Sequence, residues 1–155
     1  MAGAAKKNAT YEDLLAVPAP LVAEIIRGTL VTMPRLAVRH TRAATQLGGE
    51  LHGFGSSRHG PGGWVLLDEP ELHLGDEILV PDLAGWRRER LPELPDAPFI
   101  TLAPDWVCEV LSPSSEVIDR VDKLPIYAEQ GVAWVWLLDP LVKTLELDLA
   151  VLWAR

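Results

Sequence analysis

The chain has 155 residues, of which 48% are hydrophobic and 23% are charged, a balance typical of one globular domain with its own apolar core. Its formal net charge of −8 counts against tight general binding to DNA, because proteins that hold the phosphate backbone usually carry a basic stripe. No apolar run approaches the roughly 20 residues that a membrane-spanning helix requires, so we expect one domain over residues 1–155, with a short N-terminal tail over about 1–9 and no membrane segment.

The first third of the chain predicts a short helix, a β-hairpin and a long helix. Thr10 is a capping residue, and the acidic and leucine residues after it are typical of a short helix. Two β-rich runs then flank a tight glycine turn at residues 27–29, which predicts a hairpin. From about residue 38 to residue 54, His40 and a series of apolar residues recur in steps of four and three, which predicts one continuous helix face.

The rest of the chain alternates strand-like runs with one more helix. The strand-like runs are 64–67, 71–74, 77–80, 105–111, 133–138 and 144–149. A proline-rich segment at 87–104 predicts an irregular connection, and residues 116–130 predict a helix that Gly131 ends. The run 105–111 is almost wholly apolar, which predicts a central strand covered on both faces, with Cys108 as a buried thiol suited to a reducing cytoplasm. This order predicts an α/β fold with a mixed central β-sheet flanked by helices.

Two carboxylates stand where carboxylates are costly. Glu109 lies inside the apolar run and, by strand alternation, shares a face with Val107 and Leu111. A buried carboxylate must be paired, protonated or bound to a cation. Asp82 follows Pro81 at the end of another short strand, so neighbouring strands would let both carboxylates hold one Mg²⁺. Alternatively, Asp82 is a turn or cap residue and Glu109 pairs with an arginine from the long helix.

The predicted helix after this strand carries a cation. Asp119, Lys123 and Tyr127 recur every fourth residue and therefore share one stripe. An apolar stripe lies beside it and comprises Val117, Val121, Leu124 and Ala128. The alternative interpretation of Asp119 and Lys123 is an ordinary ion pair within one helix. Pro125 predicts a kink or a break just after Lys123.

These residues fall into one ordered set of short motifs. The motifs are Pro81-Asp82, Glu109 to Ser115, Asp119, Lys123, Tyr127, Gly131-Val132 and Leu138-Asp139-Pro140. In this order they resemble a bacterial family of restriction endonucleases, catalogued as domain of unknown function 820, within the PD-(D/E)XK nuclease superfamily. The resemblance covers nearly the whole chain, and it departs from the family at Thr29, where an acid is common, and at Pro125.

The resemblance implies a restriction-endonuclease-like fold and Mg²⁺-dependent hydrolysis of DNA phosphodiester bonds, with Mn²⁺ as a substitute. Asp82 and Glu109 would hold the metal. The superfamily's strand lysine is missing, since Leu111 stands in its place. The family supplies this lysine from the next helix, here Lys123, which would orient or help deprotonate the attacking water and stabilise charge on the phosphate.

Two further residues and one different function class stay open. The resemblance makes Glu24 a candidate further acid, although a glutamate in a β-hairpin often faces solvent. It also makes His40 a site candidate, with a hydrogen-bonded core histidine as the alternative. A homodimer would suit an enzyme that cuts two strands, and the last strands offer an edge for pairing. The net charge instead favours a non-catalytic domain that keeps the fold and acts as a dimeric interaction or nucleic-acid-binding module.

Overall fold

The structure, a computed structural model, describes residues 6–34, 37–56, 58 and 60–141. The strands are β1 Lys6–Lys7, β2 Leu21–Ile26, β3 Thr29–Pro34, β4 Trp64–Asp68, β5 Leu72–Leu74, β6 Glu77–Leu79, β7 Leu83–Arg87, β8 Trp106–Val110 and β9 Trp134–Leu138. The helices are α1 Tyr11–Leu15, α2 Val38–Gly55, a π-helical segment Ile118–Lys123 and α3 Leu124–Glu129. No described helix has the length and apolar character that crossing a membrane requires.

The first sheet has the strand order β1-β3-β2-β6-β5 and is built on the predicted hairpin. Arg27 and Gly28 turn the chain between β2 and β3 with φ values of 50° and 71°. Two consecutive positive φ values match the twist of antiparallel strands, which is why a glycine stands in this turn. On its other side β2 pairs with β6, where Ile25 stands opposite Ile78.

The second sheet has the strand order β4-β7-β8-β9 and is mixed, because β8 is antiparallel to β7 and parallel to β9. All five residues of β8 are buried, which confirms the predicted central strand. On one face Val107 belongs to a core cluster that includes Tyr127, and on the other Cys108 belongs to a second cluster that includes Leu51 of α2. Burial raises the pKa of the Cys108 thiol, as expected for an inert buried cysteine.

The chain crosses from the first sheet to the second at Pro81 and Asp82. Strand β6 ends at Leu79 and β7 begins at Leu83. The prediction that Asp82 ends the earlier strand was therefore wrong, because Asp82 leads into the next one. The consequence is that Asp82 is positioned by the second sheet, the sheet that also contains Glu109.

The helical segment after β8 differs from the sequence prediction in its backbone, and it also buries the less apolar of its two stripes. Its backbone does not break after Lys123, because the Leu124 N–H donates to the Asp119 carbonyl five residues back. Pro125 lies in the first turn of α3, where a backbone N–H has no partner within the helix and its absence costs little. The apolar stripe faces outward, with Val117 70% and Val121 63% exposed, while the stripe of Asp119, Lys123 and Tyr127 is buried.

Strand β9 is less buried than its apolar sequence predicts. Trp134 is 52% exposed although it lies in this apolar run. Within the described residues β9 has a hydrogen-bonded neighbour on one side only, which leaves its first residues partly uncovered. Trp136 does pack inward, edge-on to Trp106 with ring centroids 5.1 Å apart. The predicted strand at 144–149 lies outside the described residues.

Candidate active site

Asp82 and Glu109 stand directly opposite each other on adjacent strands. The antiparallel ladder pairs Leu83 with Cys108, so the residue before Leu83 faces the residue after Cys108. Opposite residues of a ladder point to the same face of a sheet. The Asp82 Oδ2 atom also accepts a hydrogen bond of 2.6 Å from the Val110 N–H. The two predicted carboxylates therefore share one face, as the sequence argument required.

Lys123 lies among carboxylates from three elements. Its Nζ atom is 2.7 Å from Glu109 Oε1, 2.9 Å from Glu24 Oε1 and 3.6 Å from Asp119 Oδ1. Lys123 is only 1% exposed, so these ion pairs are not screened by bulk water. The alternative of a simple ion pair between Asp119 and Lys123 accounts for only the longest of the three contacts.

Glu109 is held by two donors on one oxygen. The Tyr127 hydroxyl donates to Oε1 at 2.5 Å, and the Lys123 ammonium approaches the same atom. Burial raises the pKa of Glu109 to about 8, against the opposing effect of Lys123 and with the help of nearby Asp119, Glu24 and Asp82. Glu109 is thus paired and also favoured to keep a proton. The arginine partner considered as an alternative for Glu109 is not what the structure shows.

Lys123 remains positively charged at neutral pH. Burial lowers its pKa, but Glu109, Glu24, Tyr127 and Asp119 together hold that pKa well above its ordinary value. For Asp119, burial raises the pKa while the charge of Lys123 lowers it, and the result is a pKa above the ordinary range. Within this group of buried side chains, the Lys123 ammonium is therefore the positive charge that compensates the acids Glu109, Glu24 and Asp119.

Glu24 belongs to this cluster, contrary to the solvent-facing alternative. Its side chain is fully buried, and Oε1 accepts a hydrogen bond of 2.7 Å from the Val80 N–H. Its second oxygen, Oε2, is buried without a hydrogen-bond partner among the described residues. Glu24 comes from the first sheet and Glu109 from the second, so Lys123 joins the two sheets electrostatically.

His40 contacts Asp82 from α2. Its Nε2 atom is 3.2 Å from Asp82 Oδ2, and the residue is 3% exposed. Burial lowers the pKa of His40, but the hydrogen bond and the charge of Asp82 raise it further, so the net pKa is above the ordinary value. His40 is therefore both buried and placed at the candidate site, which combines the two alternatives that the sequence left open.

A small cavity of about 30 Å³ joins these groups. Its acidic and basic lining residues are His40, Glu69, Asp82, Glu109, Asp119 and Lys123. The volume is enough for a water-sized group. Among the described residues no three His, Cys, Asp or Glu side chains are arranged as a ready-made metal site. Mg²⁺ commonly uses one or two carboxylates and keeps several waters, so Asp82 and Glu109 beside this cavity fit such an ion.

Sequence reasoning missed three neighbours of the site. Asp119 and Tyr127 were placed on the stripe with Lys123 and among the motifs of the family resemblance, but neither was assigned a role. Glu69 gave no signal in its local sequence. It follows β4 with a φ of 44°, and its N–H donates to the Asp82 carbonyl at 3.1 Å, which places it at the cavity.

Comparison with known proteins agrees with this architecture. The family model Uma2, described as "Putative restriction endonuclease", matches residues 9–151. No curated protein matches the chain. A crystal structure of a "putative nuclease belonging to DUF820" from Anabaena variabilis is similar with a TM-score of 0.68 and 24% identity, over 85% of this chain and 74% of that one. The fold is thus restriction-endonuclease-like, as predicted.

Proposed function

Because the chain belongs to the Uma2 family, whose description is "Putative restriction endonuclease", we propose that it is a metal-dependent endonuclease that hydrolyses phosphodiester bonds in DNA. The observation that carries the proposal is the meeting of Asp82, Glu109 and Lys123. Two carboxylates face each other across a strand pair, and the Lys123 ammonium lies 2.7 Å from one of them. Hydrolysis of a phosphodiester requires negative charge to be stabilised on the phosphate, and this set of residues can serve that need.

In the proposed site, Asp82 and Glu109 would hold Mg²⁺ or Mn²⁺, and Glu109, whose pKa of about 8 favours a proton in the absence of metal, would release that proton to solvent on metal binding. The bound ion would act as a Lewis acid toward a phosphoryl oxygen and would lower the pKa of water. His40 and the Val110 N–H orient Asp82, since both lie within hydrogen-bond reach of its Oδ2 atom. Tyr127 fixes Glu109 in the same way through Oε1.

Lys123 acts in this proposal as a donor of positive charge and hydrogen bonds. Its raised pKa keeps the amine protonated at neutral pH, so it does not serve as the base that takes a proton from water. Of the roles considered for Lys123, deprotonation of the attacking water is therefore left out of the proposal. The roles that fit its surroundings are the orientation of neighbouring oxygens and the stabilisation of charge.

The test is cleavage of supercoiled plasmid in Mg²⁺ or Mn²⁺. Wild type is expected to give nicked or linear plasmid, and Asp82→Asn is expected to abolish it while keeping a similar side-chain shape. Asp76→Asn, an exposed aspartate in the turn between β5 and β6, is the matched control. Intact plasmid with wild type over a wide range of protein concentration would contradict the proposal. So would equal cleavage by wild type and Asp82→Asn.

A second measurement addresses the metal separately. Mn²⁺ binding to wild type and Asp82→Asn, followed by titration calorimetry or by the electron paramagnetic resonance signal of free Mn²⁺, is expected to show weaker binding by the variant. Equal affinity in the two proteins would remove Asp82 from the metal site.

The second candidate function is a non-catalytic module with the same fold. The observation that favours it is the enclosure of Lys123, whose charge is already satisfied by carboxylates of the protein itself. Intact plasmid together with normal folding and DNA binding would favour this candidate. The homodimer stays a prediction for either function, and light scattering on the purified protein measures it.

A further inference from the structure

The positive end of α2 has an unusual composition for a helix in an acidic protein. Its N-cap is Ala37, which has no side-chain acceptor, and the first turn contains no acid. Asp or Glu usually stands there, because unsatisfied N–H groups and the helix dipole favour negative charge. Here the first turns contain Arg39 and Arg42 instead, both exposed. Like charges at this end are unfavourable for the isolated protein.

These two arginines are unpaired within the described residues, whereas most of the other basic side chains are engaged. Arg27, Arg90 and Arg120 each contact an acidic side chain. Neither Arg39 nor Arg42 has an ion pair or side-chain hydrogen bond in the described part of the chain. The free positive charge of α2 is thus concentrated at the helix end that contains His40.

A groove of about 260 Å³ lies at this helix end and adjoins the candidate site. Arg39, His40 and Ser112 contribute to its lining. His40 also lines the small cavity beside Asp82, so one residue borders both spaces. The Nδ1 atom of His40 is buried without a well-aligned hydrogen bond among the described residues, although the Val110 backbone is near enough to raise the pKa of His40.

We infer that the N-terminal end of α2, with Arg39, Arg42 and the adjoining groove, binds a backbone phosphate of DNA next to the phosphate that is cut. Helix N-termini bind phosphate through their N–H groups and dipole, and arginine adds a planar, charged donor set. The groove also contains Glu116 and Asp139. Glu116 is neutralised by Arg120 at 2.9 Å, and Asp139 accepts the Leu141 N–H. The inference rests on the proposed function for its substrate and adds where that substrate is held.

The test is binding of a fluorescein-labelled 20-base-pair DNA, measured by anisotropy in EDTA at several salt concentrations. EDTA keeps binding separate from cleavage. The variant Arg39→Gln/Arg42→Gln is compared with Lys7→Gln/Arg58→Gln, which removes the same charge from exposed residues outside the groove. Each lost phosphate contact lowers the slope of log K against log salt by about 0.9, so losing the one phosphate inferred here is expected to lower the slope of the groove variant by about 0.9. The control variant is expected to keep the wild-type slope.

Several outcomes would overturn the inference. They are equal weakening in both double variants, unchanged binding by the groove variant, no DNA binding by wild type, or binding of RNA of the same sequence in place of DNA. Thermal unfolding checks that the groove variant is folded, and removing two positive charges from the positive helix end should leave its melting temperature equal or higher. If plasmid stays intact but the groove variant loses DNA binding, cleavage fails and the phosphate site stands. If plasmid is cut but both double variants bind DNA alike, the proposed cleavage activity stands and the phosphate site at α2 fails.

Discussion

Replacement of Glu109 by glutamine is expected to remove a pH-dependent loss of stability. In the folded protein burial raises the pKa of Glu109 from an ordinary 4.5 to about 8. Between these two pH values the unfolded chain has lost its proton while the folded protein still keeps it. Folding then binds the proton, so this group's contribution to the free energy of unfolding falls as pH rises from 4.5 and levels off above about 8.

The size of this effect follows from the two pKa values. At about 1.36 kcal/mol per pH unit, the change from 4.5 to about 8 corresponds to about 5 kcal/mol. Glutamine has no titrating proton in either state, so Glu109→Gln lacks this contribution. Tyr127 can still donate to the amide oxygen, which preserves the local shape. The variant also lacks the ion pair that Glu109 forms with Lys123 once Glu109 is ionised. For this reason the pH dependence of its stability, not its absolute stability, is compared with that of wild type.

The assay is urea unfolding of both proteins in EDTA at several pH values between 5 and 9. Over this pH range the free energy of unfolding of wild type is expected to fall, relative to that of Glu109→Gln, by most of the estimated ~5 kcal/mol. Glu50→Gln, an exposed glutamate on α2, is the control and should follow wild type. Parallel curves for wild type and Glu109→Gln would refute the reasoning, because they would mean that Glu109 ionises in the folded protein as it does in the unfolded chain.

Three other changes have expected outcomes that urea or thermal unfolding can measure. Lys123→Met leaves the carboxylates around it without their cation and should lower the free energy of unfolding by about 3–5 kcal/mol. Its control, Arg120→Met on the exposed side of the same helix, should change the free energy of unfolding by less than about 1 kcal/mol. Equal losses would show that burial of the lysine is unimportant. Glu69→Gly should stabilise by about 0.5–1 kcal/mol, because glycine relieves the φ of 44°, and a loss of stability would assign the Glu69 side chain a structural role. Gly85→Ala should cost about 1–3 kcal/mol, since its Cβ would lie 2.9 Å from a Leu66 methyl carbon, while Gly48→Ala meets only ordinary contacts in a helix and should gain up to about 1 kcal/mol.

Local pattern was enough to predict the hairpin, the long helix and the buried strand around Glu109. Each of these has a periodicity that burial on one or both faces imposes directly. The isolated carboxylate in an apolar run identified Glu109 on physical grounds alone. For Asp82 the sequence indicated the correct neighbourhood, although the strand that positions it is the one after it.

Other parts of the site depend on contacts that local sequence does not encode. Glu24 is buried because Val80, which follows β6 some fifty residues later, supplies its N–H as a partner. Lys123 was assigned to the candidate site only through the family resemblance. Its stripe contains three polar residues and the stripe beside it contains apolar ones, so burial by hydropathy favours the wrong face of the helix. The polar stripe is buried because the carboxylates that it meets come from both sheets.

The π-helical segment changes what a spacing of four residues means on this helix. In an α-helix each residue advances about 100°, so a step of four overshoots a full turn by about 40° and two such steps drift by about 80°. Bonds to the fifth residue back widen the turn to roughly 4.4 residues, so a step of four falls short of a full turn by a similar angle. Asp119 to Lys123 spans the wide turn and Lys123 to Tyr127 the ordinary one. The two angles cancel, so Asp119 and Tyr127 return to nearly one azimuth with Lys123 offset from both by about 35–40°. Pro125, which suggested a break, stands where the winding changes.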